Sequence, residues 1–517
     1  MQIFRKNARV FLALVSGTIL FSCSDQNKST SEISTAVIST PQFIKIDEGD
    51  SEEAIIAKAV AVTPSARQLR WQQLELTGFV HFGVNTFTGR EWGDGSEDPQ
   101  IFNPTALDAR QWAKASKDAG IKQLILTAKH HDGFCLWPSA YTEHSVKNSP
   151  WKDGKGDVVK ELADACKEFG LGFGVYLSPW DRNSPYFGDS AKYNDYFINQ
   201  LTELLTNYGP IEEVWFDGAN GEGPDGKKQV YDFDRWYNHI RSLQPNAVIA
   251  VMGPDVRWVG TETGYGRETE WSVLPGDALL PDQIADNSQK LDGFAPGNLM
   301  DDDLGSREKI AKAKSLVWYP AETDVSIRPG WFYHEKDDTL VKTPEKLLDI
   351  YFSSVGRNGV LLLNMPPDKR GLFHETDVKH LSEWKAKRDS IFNFNYLTHI
   401  NKKDWHKSVE NLMDGSDNTC VQIEKGNLTP TLEFHWDKPI TTNVFAIQEN
   451  IRAGQRVEKF IIEYLKDGEW TTLTEGTTIG YKRLLRFDEI STTALRVSIL
   501  SSRATPQIAE LGFYYKK

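Results

Sequence analysis

LDARQWAKASKDAGIKQLILTAKHHDG, from Leu107 to Gly133, reads as a helix, then a strand, then a knot of polar side chains. Trp112, Ala115 and Ala119 recur at helical spacing, and Gly120 stops the helix, as a glycine past a C-terminus does. Ile121 to His130 is an apolar run of strand length that ends in His130, His131 and Asp132. The unit recurs. DVVKELADACKEFG (157–170) puts Val159, Leu162, Cys166 and Phe169 on one helical face ahead of Gly170, and LGFGVYLS (171–178) is again a strand. Five more apolar runs are GFVHFG (78–83), IEEVWFDG (211–218), AVIAVMGPD (247–255), SLVWYP (315–320) and GVLLLNMPP (359–367). Short apolar strands separated by helices predict a parallel sheet covered on both faces. Seven runs, with room for an eighth between Gly253 and Gly359, predict an α/β fold of (β/α)8-barrel type. The rival, an open doubly wound sheet, would call for a glycine-rich phosphate loop after its first strand, and none is present.

The texture changes beyond about residue 396. TLEFHW alternates polar and apolar residues, KFIIEYLKDGEWTTL is two strands around an Asp467-Gly468 turn, and LRVSIL and AELGFYY follow. This predicts a small all-β antiparallel sandwich. At the other end, MQIFRKNARVFLALVSGTILFSC has a basic start, an apolar stretch too short for a comfortable membrane span, and a cysteine. LFSC has the form of a bacterial lipoprotein cleavage box. The expected organisation is a signal peptide (1–22) with lipidated Cys23, a polar Ser/Thr-rich tether (23–50), a catalytic barrel (51–395) and the sandwich (396–517). Location in a bacterial cell envelope, held to the membrane by lipid on the periplasmic or outer face, would follow.

Totals narrow the function. A chain of 517 residues is long enough for at least two domains. A net charge of -13 with no basic block argues against nucleic acid as partner. Besides Cys23 there are three widely spaced cysteines, Cys135, Cys166 and Cys420, which offer no disulfide framework and no zinc spacing.

In a barrel of this type functional groups gather at the C-terminal ends of the strands. The first strand ends in His81, the second in His130, His131 and Asp132, the third near Tyr176, Trp180 and Asp181, the fourth in Asp217. Neighbouring strand residues face opposite ways, so His130 and His131 make poor joint metal ligands while the strand lasts. Neutral imidazoles and aromatic planes suit a sugar ring. Asp217, behind Trp215 and Phe216, is placed to act as a nucleophile, although Asp-Gly is also a common turn. A retaining glycosidase needs a second carboxyl about 5–5.5 Å away. Asp255, Glu262, Glu268 and Glu270 are the candidates, and geometry is needed to choose among them.

HFGVNTF, GREWGDG, AKHHDGFCLW, GVYLSPWDR, EVWFDGANGEGP, RWVGTETG, DVSIRPGWFYH and LLLNMPPDKRG, in this order across about residues 66–375, together resemble the retaining α-L-fucosidase family of glycoside hydrolases. The pattern is most similar to the subgroup that prefers α-1,3/1,4-linked fucose on branched Lewis-type glycans. The resemblance implies Asp217 as nucleophile and Glu262 as acid/base, with Glu268 as runner-up because Thr261 stands where relatives often have asparagine. It also implies a fucose-binding set of His81, Glu91, Trp92, His130, His131 and Tyr176, with Trp331 at the rim. No cofactor or active-site metal is implied. LMDGSDNTC and AELGFYY resemble a discoidin-like (coagulation-factor type C) domain, which implies sugar binding or a structural calcium, or packing support alone. Two other functions compete: a retaining glycosidase for a related sugar such as an α-galactoside, and a non-catalytic glycan-binding surface lipoprotein.

Overall fold

The computed structural model describes residues 42–222, 226–276, 301–401 and 407–516. The expected signal peptide, Cys23 and most of the tether lie outside these residues.

Strand β1 (Phe43–Lys45) comes first. The barrel then takes β2 (Leu76–Val80), β3 (Gln123–Lys129), β4 (Gly172–Leu177), β5 (Glu213–Phe216), β6 (Val248–Val251) and β7 (Arg257–Trp258). After β8 (Val273–Pro275) and β9 (Ser315–Trp318) it is completed by β10 (Ala321–Ser326) and β11 (Val360–Asn364). Their order is β6-β5-β4-β3-β2-β11-β10-β7, every pairing is parallel, and a parallel bridge between Ala250 and Val256 links the two ends. The chain makes that closure in a tight reversal at Val251, whose φ of 64° is a strained backbone for a β-branched residue.

The barrel is therefore as expected, but two of its strands are not where the apolar runs pointed. SLVWYP forms β9, which pairs antiparallel with β1 and β8 in a separate three-stranded sheet. The barrel uses β7 and β10 instead. The first has only two residues, and AETDVS in the second carries two acids that face the lumen, so neither shows an apolar run. The same sheet revises the tether, because Phe43–Lys45 within the expected 23–50 segment is a paired strand rather than a polar leash.

The helices follow the sequence signals. Asp108 caps the helix Ala109–Asp118 and Gly120 leaves it with φ 83°; Asp157 caps Val158–Phe169 and Gly170 ends it in the left-handed region. Apolar faces with Trp112, Val159, Leu162 and Cys166 pack on β3 and β4 in the main core.

Beyond residue 430 the chain forms β12 (Thr431–Glu449), β13 (Val457–Lys466), β14 (Glu469–Gly476), β15 (Arg483–Ser502) and β16 (Ile508–Tyr514). All pairings are antiparallel, in the order β14-β13-β15-β12-β16. Asp467 and Gly468, both at positive φ, make the hairpin turn. A register shift between His435 and Ile440 bends the long β12–β15 ladder. Phe445 thereby meets Phe460 and Phe513 in a second core.

This domain is fastened to the barrel. Lys482 pairs with Glu75 at 2.5 Å, Arg307 with Glu458 at 2.9 Å, and the Gln455 side chain bonds both the Glu270 carbonyl and the Ser272 amide. Thr477 and Thr478 add bonds to Glu268 and Glu270. The base of the loop that follows β7 is thus held by the C-terminal sheet.

Candidate active site

Asp217 stands one residue past β5. Alternation along that strand points Glu213 and Trp215 into the lumen, while Phe216 packs outward on Phe197 and Trp236 of the surrounding helices. The Asp217 carboxylate is oriented by two donors: the Ala219 amide at 2.6 Å on Oδ1 and the Tyr176 hydroxyl at 3.0 Å on Oδ2. Tyr176, at the end of β4, is fully buried and stacks on Trp215 with ring centroids 5.1 Å apart. The Asp217 side chain keeps 24% of its surface exposed, so it faces an open cavity while its back is held.

Three histidines surround this carboxylate. β3 ends at Lys129, so strand alternation no longer separates His130 from His131, and both rings enter one cluster 4.1 Å apart. His130 lies nearly parallel to Tyr176 at 5.7 Å. His131 Nε2 is 3.8 Å from Asp217 Oδ2, and its Nδ1 is 2.8 Å from Ser178 Oγ. The Ser178 hydroxyl donates to the Trp180 carbonyl at 2.6 Å, so it accepts from His131 Nδ1–H and leaves Nε2 as an acceptor. His81 is set the same way, its Nδ1 2.9 Å from Asn364 Oδ1. Burial pushes His81 down to about 3 and lowers His130 and His131, so all three are neutral near pH 7. His130 Nδ1 is buried without a hydrogen-bond partner, 3.9 Å from Asp132 Oδ2. Asp132, bonded by Asn85 and the Phe134 amide, is pushed up to about 7 by burial.

Glu262, on the loop after β7, is exposed at the mouth. Trp331 Nε1 donates to its Oε2 at 3.2 Å. The protein around it raises the carboxyl above its ordinary value, and the negative charges of Asp217 and Glu91 push the same way against the Trp331 bond. Glu91 is held by the Trp331 amide at 2.8 Å and by His334 Nε2 at 2.6 Å. Trp331 lies beside His81 at 5.1 Å, and Trp92, 53% exposed, stands edge-on to His131 at 5.3 Å. One carboxylate is thus held between two donors, a second has a raised pKa at the rim, and neutral acceptors and aromatic planes surround them.

The structure brings His81, Glu91, Trp92, His130, His131, Tyr176, Asp217, Glu262 and Trp331 to this mouth. It does not bring Glu268, which pairs with Arg357 at 2.5 Å and with Arg483 of the C-terminal sheet. Glu270 pairs with Arg257 and Arg267, and Asp255 with Arg67 and Arg241. Those three acids brace the fold. Residues not singled out from sequence include Ser178, His334 and Asn364, which orient His131, Glu91 and His81. Asn364 closes an apolar strand, so the strand-end rule could have found it. Ser178 and His334 act on neighbours far away in sequence and gave no such signal. Among the described residues, no group of three or more His, Cys, Asp or Glu side chains is arranged to hold a metal ion. In the C-terminal domain Asp414 and Glu510 face each other, and burial together with Asp414 pushes Glu510 up to about 7.

The rim makes two opposite predictions for the pH profile of kcat/KM, which reports the free enzyme's acid. Glu91→Gln removes a charge that raises Glu262, so the alkaline limb should move to lower pH. Trp331→Phe removes the bond that stabilises the Glu262 carboxylate, so the limb should move to higher pH. Profiles of the two variants against wild type check both signs.

Comparison with known proteins gives one answer. A family model described as alpha-L-fucosidase matches residues 68–386. Alpha-L-fucosidase 1 of Arabidopsis thaliana is 44% identical over 468 residues, 88% of this chain and 88% of the relative. A crystal structure of a Bacteroides ovatus protein assigned as an alpha-L-fucosidase is 49% identical, covers 92% of this chain and 78% of its own, and superposes with a TM-score of 0.82. A Ruminococcus gnavus fucosidase solved in complex with fucose is 32% identical over 88% of this chain and 95% of its own, with a TM-score of 0.75.

Proposed function

The chain belongs to the alpha-L-fucosidase family of glycoside hydrolases, and from that premise we propose that it is an exo-acting retaining enzyme for α-1,3/1,4-linked L-fucose on branched, Lewis-type glycans. The observation that carries the mechanism is the pairing of Asp217, held by Tyr176 and the Ala219 amide, with Glu262, whose carboxyl is raised and which feels the Asp217 charge. Asp217 attacks the anomeric carbon while Glu262 protonates the departing glycosidic oxygen. Glu262 then takes a proton from water, which displaces Asp217 and releases fucose. His81 and His131 offer Nε2 lone pairs to sugar hydroxyls, and Trp92 and Trp331 offer faces to the ring or its neighbour. The fucose complex of the Ruminococcus gnavus relative supports fucose rather than an α-galactoside as the sugar.

The linkage preference rests on the similarity of RWVGTETG to the subgroup and on a rim open enough to leave Trp92 half-exposed and Glu262 in solvent. A substrate panel tests it. Fucose release from a branched Lewis trisaccharide, at least about 100-fold faster in kcat/KM than from an aryl fucoside or the linear 2'-linked trisaccharide, is expected; rapid cleavage of the aryl substrate would count against the preference. Such a ratio corresponds to about 2.7 kcal/mol of differential transition-state binding.

The C-terminal domain is read as discoidin-like, with packing support of the Glu262 loop as its first role. Calcium there would fall to Asp414 and Glu510, whose mutual repulsion a cation would relieve. Two carboxylates supply few of the six to eight oxygens calcium takes, so backbone carbonyls would have to complete the shell. The N-terminal sequence supports export, lipidation at Cys23 and anchorage in a bacterial envelope.

A further inference from the structure

Below the reacting groups the barrel lumen holds a second pair of carboxyls. Glu213 of β5 and Glu322 of β10 are both fully buried. Glu213 Oε2 accepts from Trp71 Nε1 at 3.0 Å and Gln123 Nε2 at 2.7 Å, and Glu322 Oε1 accepts from Trp215 Nε1 at 2.7 Å. The remaining oxygens, Glu213 Oε1 and Glu322 Oε2, are buried without a hydrogen-bond partner, and each carboxyl acts on the other. Two such oxygens can bond each other only when one carries a hydrogen. The charges that bear on the pair are themselves acidic: Asp255 acts on Glu213, and Glu322 in turn faces Asp324 along β10. Among the described residues no cation pairs with Glu213 or Glu322, and two bare carboxylates in a dry lumen would be strongly unfavourable.

We propose that Glu213 and Glu322 share one proton, carried on Glu322, and that this pair is a positioning device for Asp217. The linkage is short. Glu322 fixes the Trp215 indole, Trp215 stacks on Tyr176, and the Tyr176 hydroxyl donates to Asp217. Burial raises both carboxyls, and Glu213, with two N–H donors on Oε2 against the single donor on Glu322 Oε1, is the better-stabilised anion, which puts the proton on Glu322. The pair therefore makes stability fall as pH rises above the ordinary glutamate value of 4.5, because the unfolded chain gives up a proton that the native state keeps.

The proton itself is independent of the catalytic reading; only its effect on turnover rests on Asp217 being the nucleophile. The test compares full-length Glu322→Gln and Glu322→Ala with wild type. The infrared difference spectrum in heavy water at neutral pH, wild type minus Glu322→Gln, should show the C=O band of a protonated carboxylic acid, and the fall of melting temperature with rising pH should be shallower in Glu322→Gln. Absence of the band overturns the shared proton. Glu322→Ala should lose at least about tenfold in kcat with KM little changed, and Glu322→Gln, which keeps a donor toward Glu213 and an acceptor for Trp215, should restore most of it. Unchanged kcat in Glu322→Ala, or failure of Glu322→Gln to restore it, overturns the positioning role. Should Glu322→Ala not fold, Trp215→Phe cuts the same linkage: the band should persist and kcat should fall, and an unchanged kcat refutes the linkage.

Discussion

Asp217→Ala should abolish fucose release, with kcat down by about 10⁴-fold or more, while the melting temperature stays near that of wild type. The expectation follows from the position of this carboxylate. It lies past the end of β5, is a quarter exposed, and is held through donors on Tyr176 and Ala219 that survive without it. It anchors no strand, so its loss is chemical: the first displacement has no nucleophile, and loss of a covalent catalyst removes most of an enzyme's rate enhancement. His131 then faces a cavity in place of a charge at 3.8 Å. Binding of fucose should persist, because the histidine and tryptophan contacts remain. Steady-state kinetics, fucose titration and thermal denaturation of one preparation check all three parts. Substantial residual turnover would remove Asp217 from the mechanism.

Glu262→Ala should cost about 10²–10⁴-fold in kcat on oligosaccharides, the range for loss of a general acid and base. Its signature depends on the leaving group. A natural glycan leaves as an alkoxide unless protonated, so cleavage of the first bond is crippled. An activated aryl fucoside needs little protonation, so its first step is spared and the fucosyl-enzyme waits for water that lacks a base. Added azide needs no base and should accelerate that second step, giving fucosyl azide. Glu268→Gln should show none of this, because Glu268 is engaged by Arg357 and Arg483 and faces the domain junction. Equal behaviour of the two variants would contradict the choice between the two acids.

Much of the fold was legible because helix–strand units such as those at residues 109–129 and 158–177 repeat one signal: an apolar helical face, a glycine stop and an apolar strand. The strands that escaped notice, β7 and β10, break that signal for a physical reason. They bury Arg257, Glu322 and Asp324, which bond Glu270, Trp215 and Trp258, and a buried charge in a strand looks polar from sequence alone. SLVWYP misled in the other direction: an apolar strand covered on both faces need not belong to the barrel. At the site, strand-end position and family motifs located the side chains that the fold gathers around Asp217. The supporting partners Ser178 and His334 were not legible, because their roles arise from contacts across sequence separations of 47 and 243 residues. The choice between Glu262 and Glu268, six residues apart on one loop, needed the arginines that the fold delivers to only one of them.

The most direct test of the account is to trap the intermediate. A fucosyl donor with a fluorine at C2 and a good leaving group slows both displacements, the second more than the first, so the enzyme should accumulate a covalent adduct. Digestion and mass spectrometry should place one fluorofucosyl group on the peptide that contains Asp217. Label on another carboxylate, or turnover without label and with inversion at the anomeric carbon, would contradict it.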